Sequence, residues 1–555
     1  MECPIKEAPI FARIKKSGRY QYLQIVENRR QGSKVTQRVI ATIGRMDRLN
    51  EKGGVETLIH SLARYSHEVL LVLSGKADVT ARSKKIGPSL IFARLWEELG
   101  VKKVIKGLLA ERKFAFDVER AIFLTVLHRL FISGSDRLCH RWRRDYVIEG
   151  VEELSLHHLY RAMAFVGEPV ADQKDATPFA PRCIKDLIEE GLFFERRDLF
   201  TGLDLVFFDT TSIHFQGAGG ETLGRKGHSK DHRRDLNQMV VGAVIDDKGK
   251  PVCCEMWPGN TTDVKTLIPV IDRIRNRFQI DRVCIVADRG MISAQTLGAL
   301  EDPERNIGYI LGTRMRKVNQ VKLDVLSRGG RYKEVHPKGR SSQGPAPLKV
   351  KEVWAGENRY IVCLNTKQAR KEALDRQAIA QSLKEKIKKD PKKLIGNKGY
   401  RKYLKFDRDS ITIDGHKIEA EARFDGKWVL KTNTELGAEQ VALKYKELWQ
   451  VEQLFQDIKS VLETRPVFHQ CDETIRGHVF CSFLALVLKK ELDRRLENAG
   501  HSFEWAHITQ DLKSLEETVI EEGGRSLAIR SQCLGTCGKV FQAVGVALPP
   551  TIREV

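Results

Sequence analysis

Two short apolar runs that each close on an aspartate, LDLVFFD (203–209) and RVCIVAD (282–288), constrain this chain more than any other feature. Each is near-continuous in apolar, β-favouring residues and too short for a core helix, which predicts strands covered on both faces. MVVGAVID (239–246) and PVCCEMW (251–257) add two strands, separated by an Asp-Lys-Gly turn that predicts a hairpin. Residues 263–278 repeat apolar side chains at helical spacing, with Leu267, Ile268, Val270, Ile271 and Ile274 on the inward face. Residues 308–313 read as a further strand. The succession strand, hairpin, helix, strand, helix, strand makes an α/β sheet with mixed strand directions.

The carboxyl ends of adjacent strands in an open α/β sheet converge on one crevice, which would bring Asp209 and Asp288 together. Either aspartate alone is more often a turn former or a helix cap. A third carboxylate is offered by the stretch 441–463, which reads as a helix with Val451, Leu454, Phe455, Ile458, Val461 and Leu462 along one apolar stripe. Tyr445, Glu452 and Lys459 recur every seven residues there, so they drift only about 20° per heptad and share a neighbouring face. Taken alone, this is a surface helix with scattered charges. Combined with the two strand ends, Glu452 completes a set of three anions that repel one another unless cations sit among them. All-oxygen ligation favours Mg²⁺ or Mn²⁺. Two such ions about 3.5–4 Å apart activate a nucleophilic oxygen and stabilise the leaving oxygen of a phosphodiester.

The charge balance agrees with that substrate class. The chain has 555 residues and a formal net charge of +21, which favours a polyanion partner over an isolated small-molecule enzyme. Part of the excess lies in the runs 137–144 and 384–402, although such runs are often only solvated surface. Eleven cysteines show neither a paired framework nor zinc-knuckle spacing and are expected to be reduced. No apolar run reaches the ~18–20 residues of a membrane span, and the N-terminus lacks an apolar signal core. A soluble, intracellular protein of the cytoplasm is therefore expected.

The pattern divides the chain into residues 1–50, a basic β-hairpin unit with turn chemistry at 28–33, and residues 51–198, a helical region. Residues 199–314 and 435–500 carry the sheet. Residues 315–434 form a β-rich insertion that interrupts it, and 501–555 make a helical tail. Helices are expected at 90–99, 117–131 and 156–165. The arginine-rich segment between them suits a DNA-end-binding domain and, equally, a helical packing domain with a charged surface. Within the insertion, 350–365 and 411–433 read as antiparallel strands flanking a lysine-rich helix at 370–389.

Four segments carry a family resemblance: VFFDTTSIHF (206–215), GHSKDHRRDLNQ (227–238), VADRGMIS (286–293) and YKELWQVEQLFQDIK (445–459). They resemble the DDE transposases of bacterial insertion sequences. More narrowly, they are similar to the insertion-sequence-four superfamily, with its β-rich insertion and Tyr-Arg-Glu-Lys signature. RPVFH (465–469) and RGHVFCSFLAL (476–486) match the segment that usually follows. The resemblance covers about residues 200–490. It implies an RNase H-like catalytic domain with Asp209, Asp288 and Glu452 as metal ligands. It also implies that Tyr445, Lys459, Arg289, Lys431, Arg465 and His469 serve the DNA-binding surface. Leu448 stands where the signature usually has arginine, which leaves one phosphate contact in doubt. Trp428 lies in a Trp-Val-Leu-Lys-Thr run similar to one whose aromatic stacks on a flipped base in relatives that cut through a hairpin. It would otherwise fill the core of the insertion.

The function implied is a transposase that binds the terminal inverted repeats of its element, cuts the ends and joins 3′-OH ends to target DNA, as a homodimer on double-stranded DNA with Mg²⁺ or Mn²⁺. Two alternatives stay open: a catalytically silent DNA-binding derivative, and an RNase H-like nuclease.

Overall fold

Alternate side chains of the first apolar run feed two different cores. Phe207 and Ile213 join a large cluster that includes Val451, Leu454, Phe480 and Leu484, whereas Val206 and Phe208 join a second with Val270, Ile271 and Ile274. A strand that buries both faces must lie inside a sheet with helices above and below it, and the computed structural model has that arrangement. It describes residues 10–31, 34–51, 54–62, 80–132, 134–177, 180–196, 204–336, 346–389, 402–406, 411–522 and 525–555. Part of the turn at 28–33 and most of the basic run 384–402 lie outside the described residues.

The chain forms two compact units. The larger, Lys84–Leu515 with Cys533–Leu548, holds the sheet. Its strands are β1 (Leu205–His214), β2 (Gln238–Asp246), β3 (Pro251–Pro258), β4 (Val283–Ala287), β5 (Ile307–Gly312), β6 (Lys333–Val335), β7 (Leu348–Ala355), β8 (Asn358–Leu364) and β9 (Lys427–Thr432). They lie in the order β6-β7-β8-β9-β5-β4-β1-β2-β3. β1 runs antiparallel to β2 and parallel to β4, and β4 is parallel to β5. Phe208 is opposite Ala287, one residue short of each aspartate. Residues 315–434 therefore do not interrupt the sheet. Their strands continue it, because β9 pairs antiparallel with β5 through Leu430–Gly312 and Thr432–Ile310.

Local chemistry accounts for several element boundaries. The helix Val118–Phe131 starts where the Asp117 carboxylate accepts the Arg120 N–H at 3.0 Å. The stretch 411–433, expected as strand throughout, contains the helix Gly415–Ala422 because Asp414 caps it by accepting the Lys417 N–H at 3.1 Å. The stretch 441–463 is not one rod. It is the helix Ala438–Lys446, a break at Glu447 and Leu448, the helix Trp449–Gln456 and a wide turn at Asp457–Val461. Leu448 is buried in the core at the break. Behind these segments lies the long helix Asp472–Asn498.

A buried charge network ties the helix Ile184–Arg196 to the sheet. Lys185, Arg273 and Arg277 meet Asp186, Glu189 and Glu255, all six at most 3% exposed except Arg277 at 4%. Arg277 reaches Glu189 at 2.6 Å, Asp186 at 3.1 Å and Glu255 at 3.3 Å, while Lys185 reaches Asp186 at 2.7 Å. Three cations balance three carboxylates, the condition under which charges persist in an interior.

The smaller unit holds a three-stranded antiparallel sheet, Ile10–Ser17, Tyr20–Gln31 and Lys34–Arg45, rather than a single hairpin. It also contains the C-terminal strands Glu516–Glu522, Arg525–Arg530 and Ile552–Glu554, which share a sheet with Thr80–Lys85. The expected helical tail is thus partly strand. Among the described residues the cysteines are free, and no helix is long and apolar enough to cross a membrane.

Candidate active site

Asp209 lies on β1 and Asp288 directly follows the neighbouring parallel strand β4, so their proximity is set by strand pairing. Burial raises the Asp209 carboxyl to about 6, against the pull of Lys230 and the Thr210 N–H, with the charges of Asp288 and Asp263 pushing the same way as burial. Asp263, at the N-terminal end of the segment before the helix Leu267–Phe278, is a carboxylate that sequence reasoning missed. Thr210 Oγ1 donates to it at 2.7 Å. Lys230, also missed, places its ammonium 3.5 Å from Asp209 and 3.6 Å from Asp263. It donates to the Thr210 carbonyl at 2.5 Å as well. The signal for both lay in segments already singled out: an acidic residue at the head of a helix, and an adjacent Lys-Asp pair in a polar loop.

The tyrosine of the helix Ala438–Lys446 closes the other side. Tyr445 donates its hydroxyl to Asp288 at 2.9 Å, and burial together with the Asp288 charge raises its pKa. Gly312 makes room for this contact: a Cβ at that position would lie 2.3 Å from the Tyr445 oxygen. Asp288, Arg289, Tyr445, Gly312 and Trp428 line one cleft of about 200 Å³, which brings Trp428 beside the second aspartate. The Lys446 ammonium sits 4.4 Å from the Trp428 ring centroid, and the buried indole N–H has no hydrogen-bond partner among the described residues.

Lys459 and Arg465 converge on one carboxylate, Asp231, with Lys459 at 2.8 Å and Arg465 in direct ion pair. Burial lowers the Lys459 pKa, against the raising effect of Asp231. Asp231, despite the opposing effect of burial, is held below the ordinary carboxylate range by the hydrogen bonds of both cations. Glu452 is exposed on the helix Trp449–Gln456, which packs against β1 and β2.

Two residues expected on the DNA surface, Lys431 and His469, have partners within the protein. Lys431 is buried on β9 and bonds Glu301 at 2.5 Å, on the strand face opposite Trp428. His469 pairs with Asp136 at 3.3 Å and lies 3.2 Å from His478, in a pocket of about 470 Å³ that Arg465 also lines.

The donor set is all carboxylate oxygen, which suits a hard divalent cation. Asp209 and Asp288 therefore fit a metal ion. Among the described residues, no three His, Cys, Asp or Glu side chains come together as a ready-made ion cage, so Glu452 is not part of one here.

The transposase DDE domain matches residues 201–488, and the N-terminal domain of IS1634 family transposases matches residues 11–76. No curated protein matches the chain. Among solved structures it is similar to the piggyBac transposase synaptic complex with hairpin DNA, at 10% identity and a TM-score of 0.39, over 77% of this chain and 79% of that one. That likeness is too distant to bear on the site. The domain match spans more than half of the chain and takes in both strand-end aspartates and Glu452, and on that basis the chain belongs to the DDE transposases of insertion sequences.

Proposed function

We propose that this transposase binds the terminal inverted repeats of its own element, cuts the ends by hydrolysis and joins the 3′-OH ends to target DNA. The catalytic region is RNase H-like, the strands of 315–434 being an insertion that widens its sheet. Asp209 and Asp288 would hold Mg²⁺ or Mn²⁺, with Glu452 joining them when a DNA end is seated. When bound, the ions would polarise the scissile phosphate and favour the attacking oxygen.

The other residues bind and orient. Tyr445 fixes Asp288 through its hydroxyl, which limits how that carboxylate can turn. Lys459 and Arg465 present two cations to the DNA backbone, Lys459 as a point charge and Arg465 as a planar fork. Arg289 lies beside the Trp428 cleft, where it would meet the strand end. The protein would act in the cytoplasm on the nucleoid, as a dimer holding two ends.

The observation that carries this reading is the meeting of Asp209 and Asp288 on adjacent parallel strands, inside the matched domain. The test is incubation of the protein with the element's own ends, a target plasmid and Mg²⁺, with the products mapped by sequencing. End-specific cuts with joined 3′ ends are expected. Cleavage without end preference would indicate a general nuclease, and end binding without any cut would indicate a silent derivative.

A further inference from the structure

Lys230 and Asp231 are neighbours in the chain, and each neutralises a different part of the site. Lys230 bridges Asp209 and Asp263 at 3.5 and 3.6 Å. Asp231 takes the ammonium of Lys459 at 2.8 Å and the guanidinium of Arg465 on its two different oxygens. A carboxylate held in this way offers the same acceptors as the two non-bridging oxygens of a phosphodiester. We propose that Lys230 stands in for the metal ion and Asp231 for a DNA phosphate, so that seating a DNA end and loading the carboxylates are coupled through one loop. This rests on the DNA and metal reading given above.

The loop is built to leave. Polar bonds seat it: the Lys230 N–H to Ser212 Oγ at 2.9 Å, and the N–H groups of Asp231 and Arg233 to Ser229 Oγ at 3.3 and 3.1 Å. The next residue, His232, has φ +60°, a left-handed backbone that a side chain makes unfavourable. Residues 230–235 are Lys-Asp-His-Arg-Arg-Asp, with no apolar side chain to anchor them in a core.

Adjacent Cα atoms are about 3.8 Å apart, so a shift of the loop backbone that withdraws one stand-in carries the other with it. A phosphate that takes Lys459 and Arg465 displaces Asp231, and Lys230 is drawn off Asp209 and Asp263. A divalent cation arriving at Asp209 repels Lys230, and Asp231 is drawn off its two cations. Both ligands favour the released loop, so each tightens the other by the same factor.

Full-length Lys230→Gln and Asp231→Asn variants test this through crossed effects. Mn²⁺ binding without DNA is read by electron paramagnetic resonance. Binding of a duplex carrying the element's terminal repeat, without Mn²⁺, is read by fluorescence anisotropy. Asp231→Asn removes a negative charge, so Coulomb's law alone predicts weaker Mn²⁺ binding. Lys230→Gln removes a positive charge, and the same law predicts weaker DNA binding. Release of the loop predicts the opposite sign in both cases, with binding tightened by about fivefold or more. If either crossed affinity is unchanged or weaker while Lys459→Ala still loses DNA affinity, the loop coupling is wrong. If Lys459→Ala and Arg465→Ala bind the duplex like wild type, the DNA-surface reading fails, and the coupling with it.

Discussion

Replacing Arg277 with methionine should destabilise the larger unit by about 3–5 kcal/mol, the cost of leaving a buried charge without its partner. The guanidinium is fully buried and ion-paired to Asp186, Glu189, Glu190 and Glu255. Methionine keeps most of the volume but leaves Lys185 and Arg273 facing three buried carboxylates. Glu255→Gln in the same chain restores the balance, so the double variant should lose less than the sum of the two single losses. Urea unfolding, followed at the tryptophans, measures all three variants.

The pH dependence supplies a second check. Burial raises the Glu189 pKa, against the lowering effect of Lys185 and Arg277. Removing Arg277 raises it further. A carboxylate whose folded pKa lies above its unfolded value costs most when ionised and nothing once protonated in both states. The difference between wild type and Arg277→Met should therefore be largest near pH 8 and shrink as the pH falls toward about 5. A loss below about 1 kcal/mol, or strict additivity with Glu255→Gln, would refute the balanced-network reasoning.

Three further outcomes are expected. Asp209→Ala, Asp288→Ala and Glu452→Ala should each abolish cleavage in a gel assay while leaving end binding near wild type; near-normal cutting by any one removes that residue from the site. End binding should weaken linearly in log K against log[salt], and Lys459→Ala should lower the slope by about one unit. Trp428→Ala should still nick the end but fail to form a hairpin, since a stacking aromatic is worth about 1–3 kcal/mol toward the unstacked base. Trp428→Phe should retain part of that step, and efficient hairpin formation by the alanine variant would assign Trp428 to packing.

The strands that carry the aspartates were legible because a run buried on both faces leaves few other readings. The Asp209–Asp288 meeting followed from the parallel pairing of those two strands. Periodicity failed where the backbone changes helix type. Nothing in the spacing of Tyr445, Glu452 and Lys459 signals the turn at Leu448 or the widened turn at Asp457–Val461. Asp414-Gly415 reads equally as a hairpin turn or as a helix cap, and only the surrounding packing chooses. The strands Glu516–Glu522 and Arg525–Arg530 are rich in glutamate and arginine, and their alternation is too weak to stand out. Lys431 was within reach. Two-residue periodicity along β9 places it with Val429, away from Trp428.

The pairing of β9 with β5 also has a modular consequence. Between the two strands the chain makes an excursion of more than a hundred residues, yet Trp428 is placed beside Asp288 by a register: Leu430 opposite Gly312, with the Thr313 N–H on the Val429 carbonyl at 2.8 Å. The excursion can grow, shrink or exchange its helix Thr366–Lys389 without altering that distance, provided the zipper re-forms. A slip of two residues in the zipper would carry the indole about 7 Å along the sheet. The outer strands and helices are thus free of that constraint, while the spacing between Asp288 and Trp428 is fixed as a backbone alignment.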